Sequence, residues 1–209
     1  MKSKVYFTRE LTPEAVVKMY NALGVELPGK VAVKIHTGEQ GNQNYMPPEF
    51  WKPMIDEIGG TVCETNTAYG DASAKGKALI HSAGVTDDRF ECWDKHAGSV
   101  VFPEAMADAA ASIYRHFEGK IAFVNVMKNL SVDCDGCAVA EDPCMADIGI
   151  LSSTDPVAID QACMDLVMKS DDPGREHFME RVNSRNGIHT IEAAAELGFG
   201  SREYELIEI

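Results

Sequence analysis

Three of the chain's six cysteines, Cys134, Cys137 and Cys144, lie in one short polar segment. Two thiols three positions apart, with Gly136 relaxing the turn between them, can point at a common centre, and Cys144 can return to that centre across the loop. Zinc and iron–sulfur clusters both bind thiolate sulfur. The spacing predicts a metal or cluster site. Its fourth ligand would be another cysteine, histidine or carboxylate that folding brings close, or else water or substrate at an open position. The alternative is that the three thiols bind no metal.

A second group of reactive side chains follows an apolar run at residues 31–35. His36 could ligate a metal or shuttle a proton, and Glu39 could accept one, so these two residues are the candidate catalytic pair. Gly38 and Gly41 would let backbone donors approach a ligand closely. The alternative is a hydrogen-bonded loop in which His36 orders the turn.

Polar residues also follow other predicted strands, and they extend the candidate site. In open α/β sheets, ligands bind at the carboxyl ends of the strands, so these loops should form a polar pocket for a small molecule. The candidate ligand-binding residues are Lys34, His36, Gly38, Glu39, Asn42, Asn66, Thr67 and Asn129.

The elements that must position these residues alternate between strands and helices. Thr12-Pro13 begins a helix after the strand at residues 4–8, and Asp155-Pro156 begins another after the strand at 148–151. The alternation predicts an α/β fold with a mostly parallel sheet, helices on both faces and three layers. We expect one α/β domain over residues 1–209, with an irregular stretch at 84–102.

The composition narrows the classes of partner. The formal net charge of −14 and the sequence pI near 4.8 disfavour nucleic acid and anionic membrane surfaces as partners. No apolar run is long enough for a signal peptide or a membrane span, so a cytoplasmic location is expected. In that reducing compartment, cysteines act as thiols or metal ligands more often than as disulfides.

Several stretches together resemble the family called domain of unknown function 362, and within it a branch described as uncharacterised iron–sulfur centre proteins. They include KIHTGE at 34–39, TNTAY at 65–69 and DCDGC at 133–137, and the remainder are 4–8, 104–107, 147–162 and 197–206. The resemblance implies the family's fold and a metal-related pocket. It also implies a shortened member, since the chain lacks the central block and the ferredoxin-like cysteine quartets of longer relatives.

Three functional hypotheses follow from these features. The first is a cytoplasmic protein that binds zinc or an iron–sulfur cluster through Cys134, Cys137 and Cys144. The second is a small-molecule enzyme in which His36 and Glu39 form an acid–base pair. The third is a binding module without catalytic activity.

Overall fold

A computed structural model describes residues 2–38, 41–64, 98–117, 119–134 and 136–209. In these ranges the strands are β1 (Ser3–Thr8), β2 (Ala32–Lys34), β3 (Thr61–Cys63), β4 (Phe123–Met127), β5 (Gly149–Ser153) and β6 (Tyr204–Glu208). The helices are α1 (Pro13–Ala22), α2 (Pro48–Glu57), α3 (Val101–His116), α4 (Pro156–Lys169), α5 (Arg175–Ser184) and α6 (Ile188–Glu196). Within the same ranges, we find no helix that combines the length and the apolar character needed to cross a bilayer.

The strands form two sheets. The larger has the order β4-β5-β1-β6, in which β5 runs antiparallel to both β4 and β1, and β6 runs parallel to β1. The smaller is a parallel pair, β2 and β3, joined by helix α2. This pair is a βαβ unit, the connection that parallel neighbours require.

The expected α/β class is confirmed, but the larger sheet is mixed rather than mostly parallel. Strands β4 and β5 follow each other without a helix among the described residues between them, so they pair antiparallel instead of through a helical crossover. Here β1 pairs with two strands from the far end of the chain instead of with β2. The strand ending at Met127 lies at the sheet edge, and the short β2 and β3 are largely exposed rather than buried.

Of the expected irregular stretch, residues 84–97 lie outside the described ranges. Helix α3 begins at Val101, inside the stretch that we expected to be irregular.

Helices cover both faces of the larger sheet, which gives three layers. Adjacent β5 residues point to opposite faces: Ile150 packs with α1 and α2, and Leu151 packs with α4. Val33 of β2 and Ile58 after α2 pack into the same apolar cluster as Ile150. This contact holds the small sheet against the layer formed by α1 and α2. A separate apolar cluster packs α3 against α6 through small residues such as Ala111.

The carboxylate of Asp155 ties three elements together. Oδ1 accepts the Val157 and Ala158 backbone N–H groups at the start of α4, which is the predicted N-cap. Oδ2 accepts the Ser3 hydroxyl at 2.6 Å and the Ser201 N–H at 3.0 Å. One side chain therefore fixes the beginning of β1, the beginning of α4 and the turn before β6.

His189 links α6 to α3. Its Nε2 lies 3.1 Å from Glu104 Oε1, and its Nδ1 lies 3.3 Å from Glu192 Oε2. These hydrogen bonds, first to Glu104 and then to Glu192, raise the pKa of His189 above its usual value. The cationic form of His189 therefore favours the packed arrangement of the two helices.

Replacing Asp155 should destabilise the fold strongly. Asp155→Ala removes the helix cap and two further accepted hydrogen bonds, so we expect the free energy of unfolding to fall by about 2–3 kcal/mol in urea titrations. Asp155→Asn keeps one oxygen for the cap and should lose less. The exposed Asp171→Ala is the matched control. Equal stability of Asp155→Ala and Asp171→Ala would contradict the role assigned to this carboxylate.

The His189 contacts should make stability depend on pH. Because the folded pKa is raised, the contribution is fully present below the unfolded pKa of about 6.5 and is lost as pH rises through the folded pKa. The stability difference between wild type and His189→Gln should therefore be largest in acid and shrink in alkaline buffer, as measured by urea unfolding. A difference that grows with pH would refute this sign, and His116→Gln serves as the control for an exposed histidine.

Candidate functional site

The βαβ unit places His36 and Glu64 side by side. Lys34 pairs in parallel register with Cys63, and the Ile35 N–H donates to the Cys63 carbonyl at 3.2 Å. His36 and Glu64 therefore both lie just beyond the carboxyl ends of two adjacent parallel strands, the position at which α/β sheets bind ligands.

The Glu64 carboxylate is held in place by Thr37. Its Oε1 accepts the Thr37 backbone N–H and its Oε2 accepts the Thr37 hydroxyl, both at 2.7 Å. Partial burial raises the pKa of Glu64. Three effects outweigh it and hold the pKa below its usual value: the two Thr37 hydrogen bonds, a hydrogen bond from the Gly38 backbone, and the nearby His36. Glu64 is therefore a fixed, ionised carboxylate at neutral pH.

His36 presents its Nδ1 atom to this carboxylate. Nδ1 lies 3.0 Å from Glu64 Oε1, and it is buried without an aligned hydrogen bond. In ligand-free active sites, hydrogen bonds of this kind are often poorly aligned and tighten only when the ligand binds. With Nδ1 facing Glu64, Nε2 faces the cysteine loop at Gly136.

Two loops meet next to the His36 ring. We call residues 35–47 the His36 loop and residues 128–148 the cysteine loop. An ideal Cβ on Gly38 would lie 2.3 Å from Gly136 Cα, and one on Gly136 would lie 2.5 Å from His36 Nε2. Gly38 also has a φ of +72°, which glycine adopts without strain. The loops therefore approach as closely as glycine allows, and we call this contact the loop junction.

Asparagine side chains make a second connection between the two loops. The buried Asn44 donates from Nδ2 to the Glu141 carbonyl at 2.9 Å, and Asn129 Nδ2 donates to the Asn44 carbonyl at 3.4 Å. Asn129 has a φ of 54°, and its N–H donates to Asp147 Oδ1. The structure thus brings the candidate residue Asn129 to the same pair of loops as His36.

Helix α5 holds the cysteine loop through one ion pair and one further polar contact. Arg181 lies 3.0 Å from Asp133 Oδ1, and His177 Nε2 lies 3.0 Å from Glu141 Oε2. The Glu141 N–H donates to Asp133 Oδ2, and this hydrogen bond is the main reason that the pKa of Asp133 lies below its usual value. Partial burial raises this pKa by less, and Arg181 lowers it further. The segment that carries the cysteines is therefore anchored at Asp133 and at Glu141.

The three candidate metal-binding cysteines separate into a pair and a single residue. Cys137 N–H donates to the Cys134 carbonyl at 3.0 Å, so these two share one turn. Cys144 instead packs against the core beside α4, where burial first and then the nearby Asp172 and Glu141 raise its pKa. In the ranges that the structure covers, no three His, Cys, Asp or Glu side chains gather to hold a metal ion. Cys144 thus lies in apolar packing beside α4, and its expected role as a metal ligand stays a prediction.

The other candidate residues differ in what they contact. Lys34 is exposed on β2, and Asn42 Nδ2 donates to the Thr37 carbonyl at 2.8 Å. Glu39, Asn66 and Thr67 lie outside the described residues, so their expected contributions stay predictions.

Sequence reasoning missed Glu64 and Asn44. A signal for Glu64 was present, because it follows the strand next to β2 and stands one residue past the register partner of Lys34. For Asn44, the sequence offered no comparable signal, since its partner Glu141 is 97 positions away.

Comparison with known proteins assigns a family without assigning a reaction. A profile described as "Domain of unknown function (DUF362)" matches residues 58–165, which include Glu64, the cysteine loop and Asp155. No curated protein and no solved structure matches the chain. Because the profile covers more than half of the sequence, the chain belongs to the DUF362 family, as its motifs indicated.

Proposed function

We propose that this protein binds a small polar molecule at the loop junction and exchanges a proton with it through Nε2 of His36. The observation that carries the proposal is the contact of His36 Nδ1 with a carboxylate, Glu64, that Thr37 fixes and keeps ionised. A carboxylate beside Nδ1 favours the tautomer with the proton on that atom. It also stabilises the imidazolium that forms when Nε2 accepts a proton.

In this proposal Glu64 takes the role that the sequence suggested for Glu39. The function of an acid–base histidine requires a partner that orients the ring, and Glu64 occupies that position at 3.0 Å. Glu39 stays a candidate for direct contact with the bound molecule. The geometry therefore supports a dyad of His36 and Glu64, with His36 as the residue that exchanges the proton.

Lys34 is the reason for testing anionic ligands first at this edge of β2. Val33 packs into the core, so the next residue, Lys34, faces the opposite side of the strand. His36 is two residues further on, so the same alternation places it on the side of Lys34. Lys34 therefore adds a cation on the side of the chain that carries the His36 ring. Small carboxylates and inorganic phosphate are suitable first probes.

The expected zinc or iron–sulfur site has less support. Thiolate donors suit both metals, but Cys144 packs apart from the turn that carries Cys134 and Cys137, so the donors in the described residues do not fit a site with three thiols. We therefore assign no step of the function to a metal, and metal analysis remains the test of that prediction.

Removing either member of the dyad should weaken binding of the probes. We expect phosphate, malonate or citrate to raise the melting temperature of the wild type. In His36→Ala and Glu64→Gln the affinity should fall by about tenfold or more, since a hydrogen bond to a charged group contributes about 1.5–3 kcal/mol. Titration calorimetry measures the loss.

The matched control is His116→Ala, which removes an exposed histidine from α3. This variant should bind the probes as the wild type does. Equal binding by His36→Ala and His116→Ala, or no binding of any probe by the wild type, would refute the proposed site.

The two glycines at the junction should respond differently to alanine. Gly136→Ala places its Cβ against the His36 side chain rather than against backbone, so it should displace the ring and reduce probe binding with a small loss of stability. Gly38→Ala places its Cβ against backbone and adds strain at positive φ, so it should also lower the melting temperature clearly. Calorimetry and thermal unfolding separate the two effects. Wild-type binding by Gly136→Ala would contradict the contact with His36.

A further inference from the structure

The turn that carries Cys134 and Cys137 brings their backbones to a distance that a disulfide can span. The Cys137 N–H donates to the Cys134 carbonyl at 3.0 Å, which is the hydrogen bond between the first and fourth residues of a β-turn. Such a bond keeps the two Cα atoms within about 7 Å, and disulfides join Cα atoms about 4.4–6.8 Å apart. The two cysteines can therefore be linked with little movement of the loop.

The two thiols differ in their access to solvent. Cys134 is exposed and Cys137 is half-buried. Burial raises the pKa of Cys163 to about 12 and also raises that of Cys144, so neither of these thiols is suited to attack a disulfide. In a dithiol that exchanges disulfides, one exposed sulfur meets the reagent and a second, more protected sulfur completes the reaction.

The surroundings of the turn suit this chemistry. The Asp133 carboxylate is paired with Arg181, which limits its repulsion of a thiolate, and Glu141 contacts His177. These contacts also anchor the cysteine loop to α5, so the turn can close without displacing the rest of the loop. Nε2 of His36 lies against Gly136, which stands between the two cysteines in sequence.

We propose that Cys134 and Cys137 form a redox-active dithiol that is oxidised reversibly by a low-molecular-weight disulfide such as oxidised glutathione. The Cys134 thiolate attacks one sulfur of the reagent, forms a mixed disulfide and releases one thiolate. The Cys137 thiolate then attacks Cys134 sulfur, forms the internal disulfide and releases the second thiolate. Two electrons pass to the reagent, two protons leave the protein, and the reagent becomes two thiols.

The experiment incubates the full chain, purified without oxygen or added chelator, in buffers with different ratios of reduced to oxidised glutathione. Alkylation of the remaining thiols and peptide mapping by mass spectrometry then locate each modification. We expect the wild type to form a Cys134–Cys137 disulfide that reduced glutathione reverses. Cys137→Ser should accumulate a glutathione adduct on Cys134, because the second step is blocked.

Two variants serve as controls. Cys134→Ser should leave Cys137 largely unmodified, and Cys144→Ser should form the turn disulfide as the wild type does. The proposal is overturned if the wild type retains a stable adduct on Cys134, if Cys134 pairs with Cys144, or if both turn thiols stay reduced. Stoichiometric zinc or iron that protects both thiols would also overturn it, and would restore the metal hypothesis. None of these results depends on binding of phosphate or carboxylates at His36.

Discussion

The candidate site depends on a backbone contact that only glycine permits. Gly38 and Gly136 come from loops that follow strands of different sheets, and a side chain on either would collide with the opposite loop or with His36. Because the loops touch, the His36 ring is confined between the Glu64 carboxylate on one side and the turn of the cysteine loop on the other. A histidine in an open loop would sample many orientations, whereas this one is held with a defined nitrogen toward each neighbour.

The contact is supported by structure on both sides, and this support explains why two loops can be held so closely. On one side, Val33 and Ile58 anchor the small sheet to the layer formed by α1 and α2. On the other, Arg181 and His177 of α5 hold the cysteine loop, and Asp155 fixes the start of the helix α4 that supports this half of the fold. The family profile includes Glu64 and the cysteine loop but not His36, so the site combines residues inside the matched region with residues before it.

Local signals in the sequence predicted where two helices begin, because a helix cap is a local feature. Thr12 and Asp155 accept N–H groups at the first turns of α1 and α4, as their positions before proline indicated. The pairing of the larger sheet depends instead on contacts between the two ends of the chain, such as Val5 with Leu206, and no local pattern encodes these. The same distinction holds in the site, where His36 was found from its position after a strand. Its partner Glu64 required knowledge that β2 and β3 pair in register.

The position of Cys144 decides which chemistry the cysteines favour. A site with three thiolates would require Cys144 to leave apolar packing beside α4 and to ionise although burial and two nearby carboxylates raise its pKa. Withdrawing this half-buried side chain from its apolar neighbours costs free energy before any metal is bound, and the raised pKa adds to that cost. Cys134 and Cys137 need no comparable rearrangement to react with each other, since one turn already holds their backbones together. In the folded chain, the same segment of sequence that suggests a metal site therefore joins the backbones of Cys134 and Cys137 in one turn and packs the half-buried Cys144 beside α4.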